Sequence, residues 1–322
     1  MKKSLVFIIA CLLWGSVAYA QPQKLIEKDF EKFSTVKVED KFDVKMYASD
    51  RYSVRINVDE RIAAHVQAYE KNGTLYLILD EKGYTKELKK QLKQKGAAQP
   101  VLEAEIYMPE VKSLIFSDDV FVRYCDEIRS DNFTLTASDD AKIQQLRISC
   151  STAEINVSRN VELNAEMSVA SKLYLEAKNS SKVSLTQNGG NTFMELDGSA
   201  YVDMKASVQA IEVLASSGAE SHISGTASVL TVNASGLSRI DAELLEVKEG
   251  QMTQTGSSKC HVNVTEKMKV NLTGGCMLTF KRAPSIEVER IVNSTLIKAD
   301  DPKRKKCFCL IHIVIHRHRY FV

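Results

Sequence analysis

The chain has 322 residues, with 43 Lys and Arg against 41 Asp and Glu and a formal net charge of +2. That length supports a sizeable buried core, as one elongated repeat domain or two globular ones. The near balance conceals an asymmetry: Lys303, Arg304, Lys305, Lys306, Arg317 and Arg319 fall in the last stretch with no acid beside them. The body before them is neutral to acidic, which argues against nucleic acid as its partner, because phosphate contacts need clustered basic surface.

Residues 1–20 read as a secretory signal. Lys2 and Lys3 precede an apolar run from Leu5 to Trp14, and Ala18-Tyr19-Ala20 stands before Gln21. Cleavage there predicts an exported protein, held in the periplasm or at the outer cell surface. A second reading takes Ile8-Ile9-Ala10-Cys11 as a lipobox that would acylate Cys11; the apolar run before Cys11 is short for that role. The run also falls short of the ~20 apolar residues a bilayer span requires.

From Phe33 to Asp80 apolar and polar residues alternate: Val36 and Val38, then Phe42, Val44 and Met46, then Val54, Ile56 and Val58. Period two is the signature of half-buried strands. Asn72-Gly73 before Leu75, Leu77 and Leu79 predicts a tight hairpin, and Arg61 to Tyr69 is read as a short helix. Residues 84–100 break the pattern with Lys86, Lys89, Lys90, Lys93 and Lys95 around Leu88 and Leu92, read as a lysine-rich helical excursion or a mobile loop between strands.

Near Leu114 a repeat begins. Small polar turns recur at Ser117-Asp118-Asp119, Ser138-Asp139-Asp140, Ser158-Arg159-Asn160, Asn179-Ser180-Ser181, Asp197-Gly198-Ser199 and Ser216-Ser217-Gly218. They continue at Ala234-Ser235-Gly236, Thr255-Gly256-Ser257, Thr273-Gly274-Gly275 and Asn293-Ser294, mostly 18 to 21 residues apart. One such unit cannot bury its own apolar face, so units must stack, burying a column assigned here to Val183, Val202, Ile223, Ile240, Val262 and Leu278. The predicted fold class is all-β: a parallel β-helix, or β-solenoid, of about twenty residues per coil with an N-terminal β-strand region. The expected organisation is signal 1–20, strand region 21–113 with the insertion 84–100, solenoid repeats 114–301 and a basic tail 302–322.

Taken in order, the strand pair Phe33 to Val44, the strand Val101 to Pro109 ending in Met-Pro, and the Ser/Gly turns beyond resemble the putative auto-transporter adhesin, head GIN domain family of exported bacterial proteins. The resemblance covers most of the chain after Ala20 and implies a β-helix-like fold and a role in adhesion. It brings no defined catalytic or binding residues. The lysine-rich insertion and the basic tail depart from the family's pattern.

Among candidate sites, Asp118-Asp119 and Asp139-Asp140 lie one repeat apart, so stacking places four carboxylates on one turn edge, with Arg159 and Asn160 next. Clustered oxygen ligands suit Ca²⁺, and paired carboxylates can cleave sugars; the plainer reading is that Asp suits turns and Arg159 offsets the repulsion. In the tail, Cys307, Cys309, His312, His316 and His318 supply zinc- or copper-type ligands; alternatively Ile311, Ile313 and Ile315, alternating with His312, Val314 and His316, form a capping strand, or the tail is an aberrant extension. Cys260 and Cys276 sit among alternating apolar positions and read as small core residues. His222 and His261 stand isolated among repeat positions and read as surface residues.

The function expected from the sequence is therefore a non-catalytic cell-envelope protein, adhesin-like or ligand-binding, acting through its long solenoid face. A cell-surface glycan or an envelope protein is the partner class, and a homodimer through an exposed solenoid end remains open. No cofactor is expected apart from Ca²⁺ at the Asp cluster. The alternative is a carbohydrate-active enzyme or Ca²⁺-dependent sugar-binding protein using Asp118, Asp119, Asp139 and Asp140. The lone Trp14 lies in the signal and leaves no tryptophan for sugar stacking, which weighs against it.

Overall fold

The computed structural model describes residues 22–95 and 97–299. Its strands pair into one continuous 22-stranded sheet, wound as a parallel β-solenoid of about ten coils with roughly 20 residues each. Long strands such as Lys142–Ser158 and Glu162–Lys178 break register between Cys150 and Thr152. There the chain bends from one face of the solenoid to the other. The first face holds the segments that follow each polar turn, and the second face those that precede the next turn.

The turns form the opposite edge. Asp118 and Asp119, Asp139 and Asp140, and Arg159 and Asn160 all take positive φ between 56° and 65°. Two successive left-handed residues make the tight reversal that Asp, Asn and Gly tolerate best. The turns stack through their backbones: the Asp119 N–H donates to Asp139 at 2.9 Å and the Asp140 N–H to Arg159 at 3.0 Å.

Inside each turn lies one small or β-branched residue. Val120, Ala141, Val161, Ser181, Ala200, Ala219, Ser238, Ser258 and Cys276 form a buried column. Its carbonyls from Val120 to Cys276 accept bonds of 2.7–3.0 Å from the strands that start on the next coil. Ser181, Ser238 and Ser258 direct their hydroxyls to the carbonyl three residues back, as Cys276 does with its thiol. This column is why the repeat reads as polar-polar-small in sequence. Cys276 is a small core residue, and Cys260, fully buried in a first-face column, is another.

Register corrects one apolar column. Val202 pairs with Ser221, not Ile223, and Ile240 with Cys260, not Val262. The run is Val183, Val202, Ser221, Ile240, Cys260, Leu278 and Leu296. Ile223 follows Met204 one inward position farther along. From Val183 to Leu278 each member of the run lies two residues after the buried turn residue, as Val202 follows Ala200 and Ser221 follows Ala219, so the turn sets the register; an apolar pattern misses Ser221 because a polar residue occupies that inward position.

Coiling starts before the repeat becomes visible in sequence. Thr35–Glu39 runs parallel to Ser113–Ser117, and Asp43–Ala48 parallel to Phe121–Cys125. On their other side they pair with Thr74–Leu79 and Leu102–Met108, so this coil is inserted between two that come later in the chain. The antiparallel strands Val66–Lys71, Ser53–Asp59 and Gln23–Asp29 then cover the N-terminal end, which blunts its open edges. The hairpin at Asn72-Gly73 forms with φ of 55° and 75°. The helix read between Arg61 and Tyr69 reduces to a 3₁₀ turn at Ala63–His65, followed by strand; cross-strand pairing to Thr74–Leu79 overrides its weak helical spacing. The lysine-rich excursion does carry a helix, Lys86–Leu92, capped by Thr85, with Leu88 and Leu92 packed on the core.

Candidate binding face

The four predicted carboxylates do stack on the turn edge. Asp139 is already engaged: Arg159 lies 2.8 Å from its carboxylate and Ser138 donates to it at 2.7 Å. Asp118 lies beside Asp40 of the inserted coil, whose carboxyl is pushed up to about 6 by burial first and by Asp118, Glu81 and Glu39 after it. Lys41 pairs with Glu81 at 2.7 Å. The edge is thus a mixed-charge array. Among the described residues no three His, Cys, Asp or Glu side chains converge as metal ligands. Cys307, Cys309, His312, His316 and His318 lie outside the described residues.

The described cysteines are free and buried. Burial pushes the Cys125 thiol up to about 12 and raises Cys150 and Cys260 as well, which makes them poor nucleophiles.

The first face carries features the sequence hid. Tyr107 and Tyr47 are register partners and stack at 5.2 Å, and Tyr124 tilts against Tyr47 at 5.5 Å. The Tyr124 hydroxyl donates to Asp126 at 2.6 Å, and the other Asp126 oxygen accepts the Ala48 N–H at 2.9 Å. These bonds, with the charge of Arg147 behind them, hold the Asp126 carboxyl below its usual range. Tyr47, Asp126, Arg129 and Arg147 border a cleft of about 460 Å³ over Met108 and Pro109.

Farther along, two irregularities open the face. Arg123 is an extra residue against Asp43–Ala48, and Gln144-Gln145 are out of register between Ile143 and Leu146. Bulges re-aim side chains; here Arg123 turns over the Phe121 ring at 4.9 Å and pairs with Asp43. Two adjoining clefts of about 600 and 610 Å³ share Gln144 and Asn164. Along the second cleft one column reads Phe121, Lys142, Glu162, Lys182 and Tyr201. Its aromatic ends stand four strand spacings apart, about 19 Å. Lys142 and Glu162 face each other at 3.9 Å, and the next outward column supplies Asn164, Ser184 and Asp203.

Chemically the face offers aromatic rings, planar amides, hydroxyls and alternating charge on a rigid, wide surface. That suits a long polar ligand lying across the strands rather than a small molecule enclosed in a pocket. The aromatic residues at 47, 107 and 124 are far apart in sequence, and only the inserted coil brings them together. Tyr47 and Tyr107 sit at alternating outward positions of their strands, which was the one signal available; Tyr124 faces outward only because Arg123 is an extra residue.

The family model described as "Putative auto-transporter adhesin, head GIN domain" matches residues 32–184 and again 145–284. No curated protein matches the chain. Among solved structures it is similar to a putative adhesin from Parabacteroides merdae, 13% identical over 86% of this chain and 96% of that one, TM-score 0.47. A putative adhesin from Parabacteroides distasonis is 14% identical over 87% and 98%, TM-score 0.45. A putative lipid binding protein from the same species is 13% identical over 86% and 97%, TM-score 0.42.

Proposed function

The chain belongs to the family described as putative auto-transporter adhesin, head GIN domain, and from that membership we propose an exported, non-catalytic cell-envelope protein that works by adhesion. Export rests on the signal-like residues 1–20. The ligand is an extended glycan lying along the solenoid axis on the first face. The observation that carries this reading is the column from Phe121 to Tyr201, with aromatic rings at its ends and Gln144, Asn164 and Ser184 beside it. Sugar rings stack on aromatic faces and exchange paired hydrogen bonds with amides and carboxylates. A strand repeat of about 4.8 Å is close to the length of one sugar unit, so equivalent contacts recur from coil to coil.

The test is binding of the secreted full chain to an immobilised panel of bacterial and host polysaccharides, beside a Phe121→Ala, Tyr201→Ala double variant. Retention of at least one polysaccharide, weakened about tenfold or more by losing two stacking contacts, is the expected result. Unchanged retention in the double variant, or no retention at all, overturns the assignment of this face. Release of new reducing ends overturns the non-catalytic reading and returns attention to Asp118, Asp119, Asp139 and Asp140.

A further inference from the structure

His222 and His261, isolated in sequence, share one outward column with two acids. Asp203 is the register partner of His222, His222 of Asp241, and Asp241 of His261. Successive members are one strand apart, about 4.8 Å. His222 Nδ1 already stands 3.4 Å from Asp241 Oδ2, with the two side chains 35% and 47% exposed, and His261 is exposed. We propose that His222, Asp241 and His261 bind a divalent transition-metal ion of the zinc, nickel or copper type, with Asp203 as outer support.

The order of side-chain lengths favours this site. An imidazole reaches farther from the backbone than an aspartate, so two histidines flanking a short acid can lean over it from both sides. Two ring nitrogens and one carboxylate oxygen then surround a point above Asp241 and leave a fourth position for water, a ligand set that zinc accepts. The three groups do not converge in the arrangement described; bringing them together requires the half-buried His222 and Asp241 and the exposed His261 to turn their side chains toward one another. Asp203, on the far side of His222, is placed to accept a hydrogen bond from the ring nitrogen that the ion leaves free. Such an outer carboxylate fixes the imidazole and raises its basicity. Arg239 in the adjacent column pairs with Glu220 at 3.5 Å rather than with Asp241; the Glu243 N–H donates to Asp241 Oδ1 at 3.1 Å, which leaves Oδ2, the oxygen facing His222, for the ion. Imidazole donors select against Ca²⁺ and Mg²⁺, which take oxygen ligands. A bound ion would join three successive coils.

The test uses the full chain with the tail donors replaced (Cys307→Ser, Cys309→Ser, His312→Gln, His316→Gln, His318→Gln), so that only the body can respond. Calorimetric titration with Zn²⁺ is expected to show a single saturable site, and Ca²⁺ none. Binding disappears in His222→Ala and in His261→Ala and weakens about tenfold in Asp203→Asn. A Co²⁺ titration followed by visible absorption reads the coordination directly, and circular dichroism checks that each variant keeps its strands. Absence of saturable Zn²⁺ binding, or affinity unchanged in both histidine variants, overturns the proposal.

Discussion

Asp40 and Asp118 occupy the same left-handed position on neighbouring turns, with φ of 68° and 62°, and the Lys41 N–H joins the two turns by donating to the Asp118 carbonyl at 2.9 Å. Backbone stacking therefore holds two acids together that side-chain electrostatics would separate.

Asp40 consequently titrates high, at about 6, because of burial and then Asp118. Its folded-state value lies above that of the unfolded chain, so the native protein holds the extra proton between pH ~4 and ~6. Stability falls as pH rises through that window. Asp40→Asn keeps the turn geometry and removes the charge. It is expected to stabilise by about 1 kcal/mol at pH 8, solvent screening of a partly exposed group allowed for, and by almost nothing at pH 4. Urea unfolding at the two pH values checks this.

Ser221 interrupts an apolar column between Val202 and Ile240, and its buried hydroxyl has no hydrogen-bond partner among the described residues. An unsatisfied buried hydroxyl costs free energy that an apolar group does not. Ser221→Ala should raise stability by about 1 kcal/mol, read as a higher midpoint in thermal or urea unfolding.

Gly225 lies where Glu220–Ala234 leaves the first face, at φ +108°, and an added Cβ would stand 2.0 Å from the Ala206 carbonyl oxygen. Backbone strain and a clash with the neighbouring coil act together. Gly225→Ala should cost about 4 kcal/mol. Gly73, with φ +75° and nothing near its Cβ position, provides the comparison: Gly73→Ala suffers the strain without the clash and should lose clearly less.

Asp59, fully buried by its side chain, is held by Arg61, whose backbone N–H and Nε each donate at 2.9 Å and whose Nη2 donates at 2.7 Å. Arg61 keeps the Asp59 carboxyl below its usual range. That contribution is present above the unfolded carboxylate value and is lost as pH falls through the depressed folded one. Arg61→Ala leaves a buried charge without its partner and should destabilise by about 3 kcal/mol at pH 7. The deficit should shrink when unfolding is repeated near pH 3.

The sequence by itself determined the fold class, because a turn of one or two left-handed residues closed by a small buried residue leaves a mark every coil: Asp139-Asp140-Ala141 and Gly198-Ser199-Ala200 meet the same backbone requirement. Alternation likewise marked which residues face the core. Tertiary structure alone decided partnership. Ser221 takes the inward position opposite Val202 that an apolar pattern gives to Ile223, and an inserted coil brought Tyr47 between Tyr107 and Tyr124. The same register turned His222 and His261 from isolated residues into members of one column. Inward and outward positions follow from a period of two within a strand, which is local; the neighbour across a strand gap depends on the summed length of everything between, which no local pattern records.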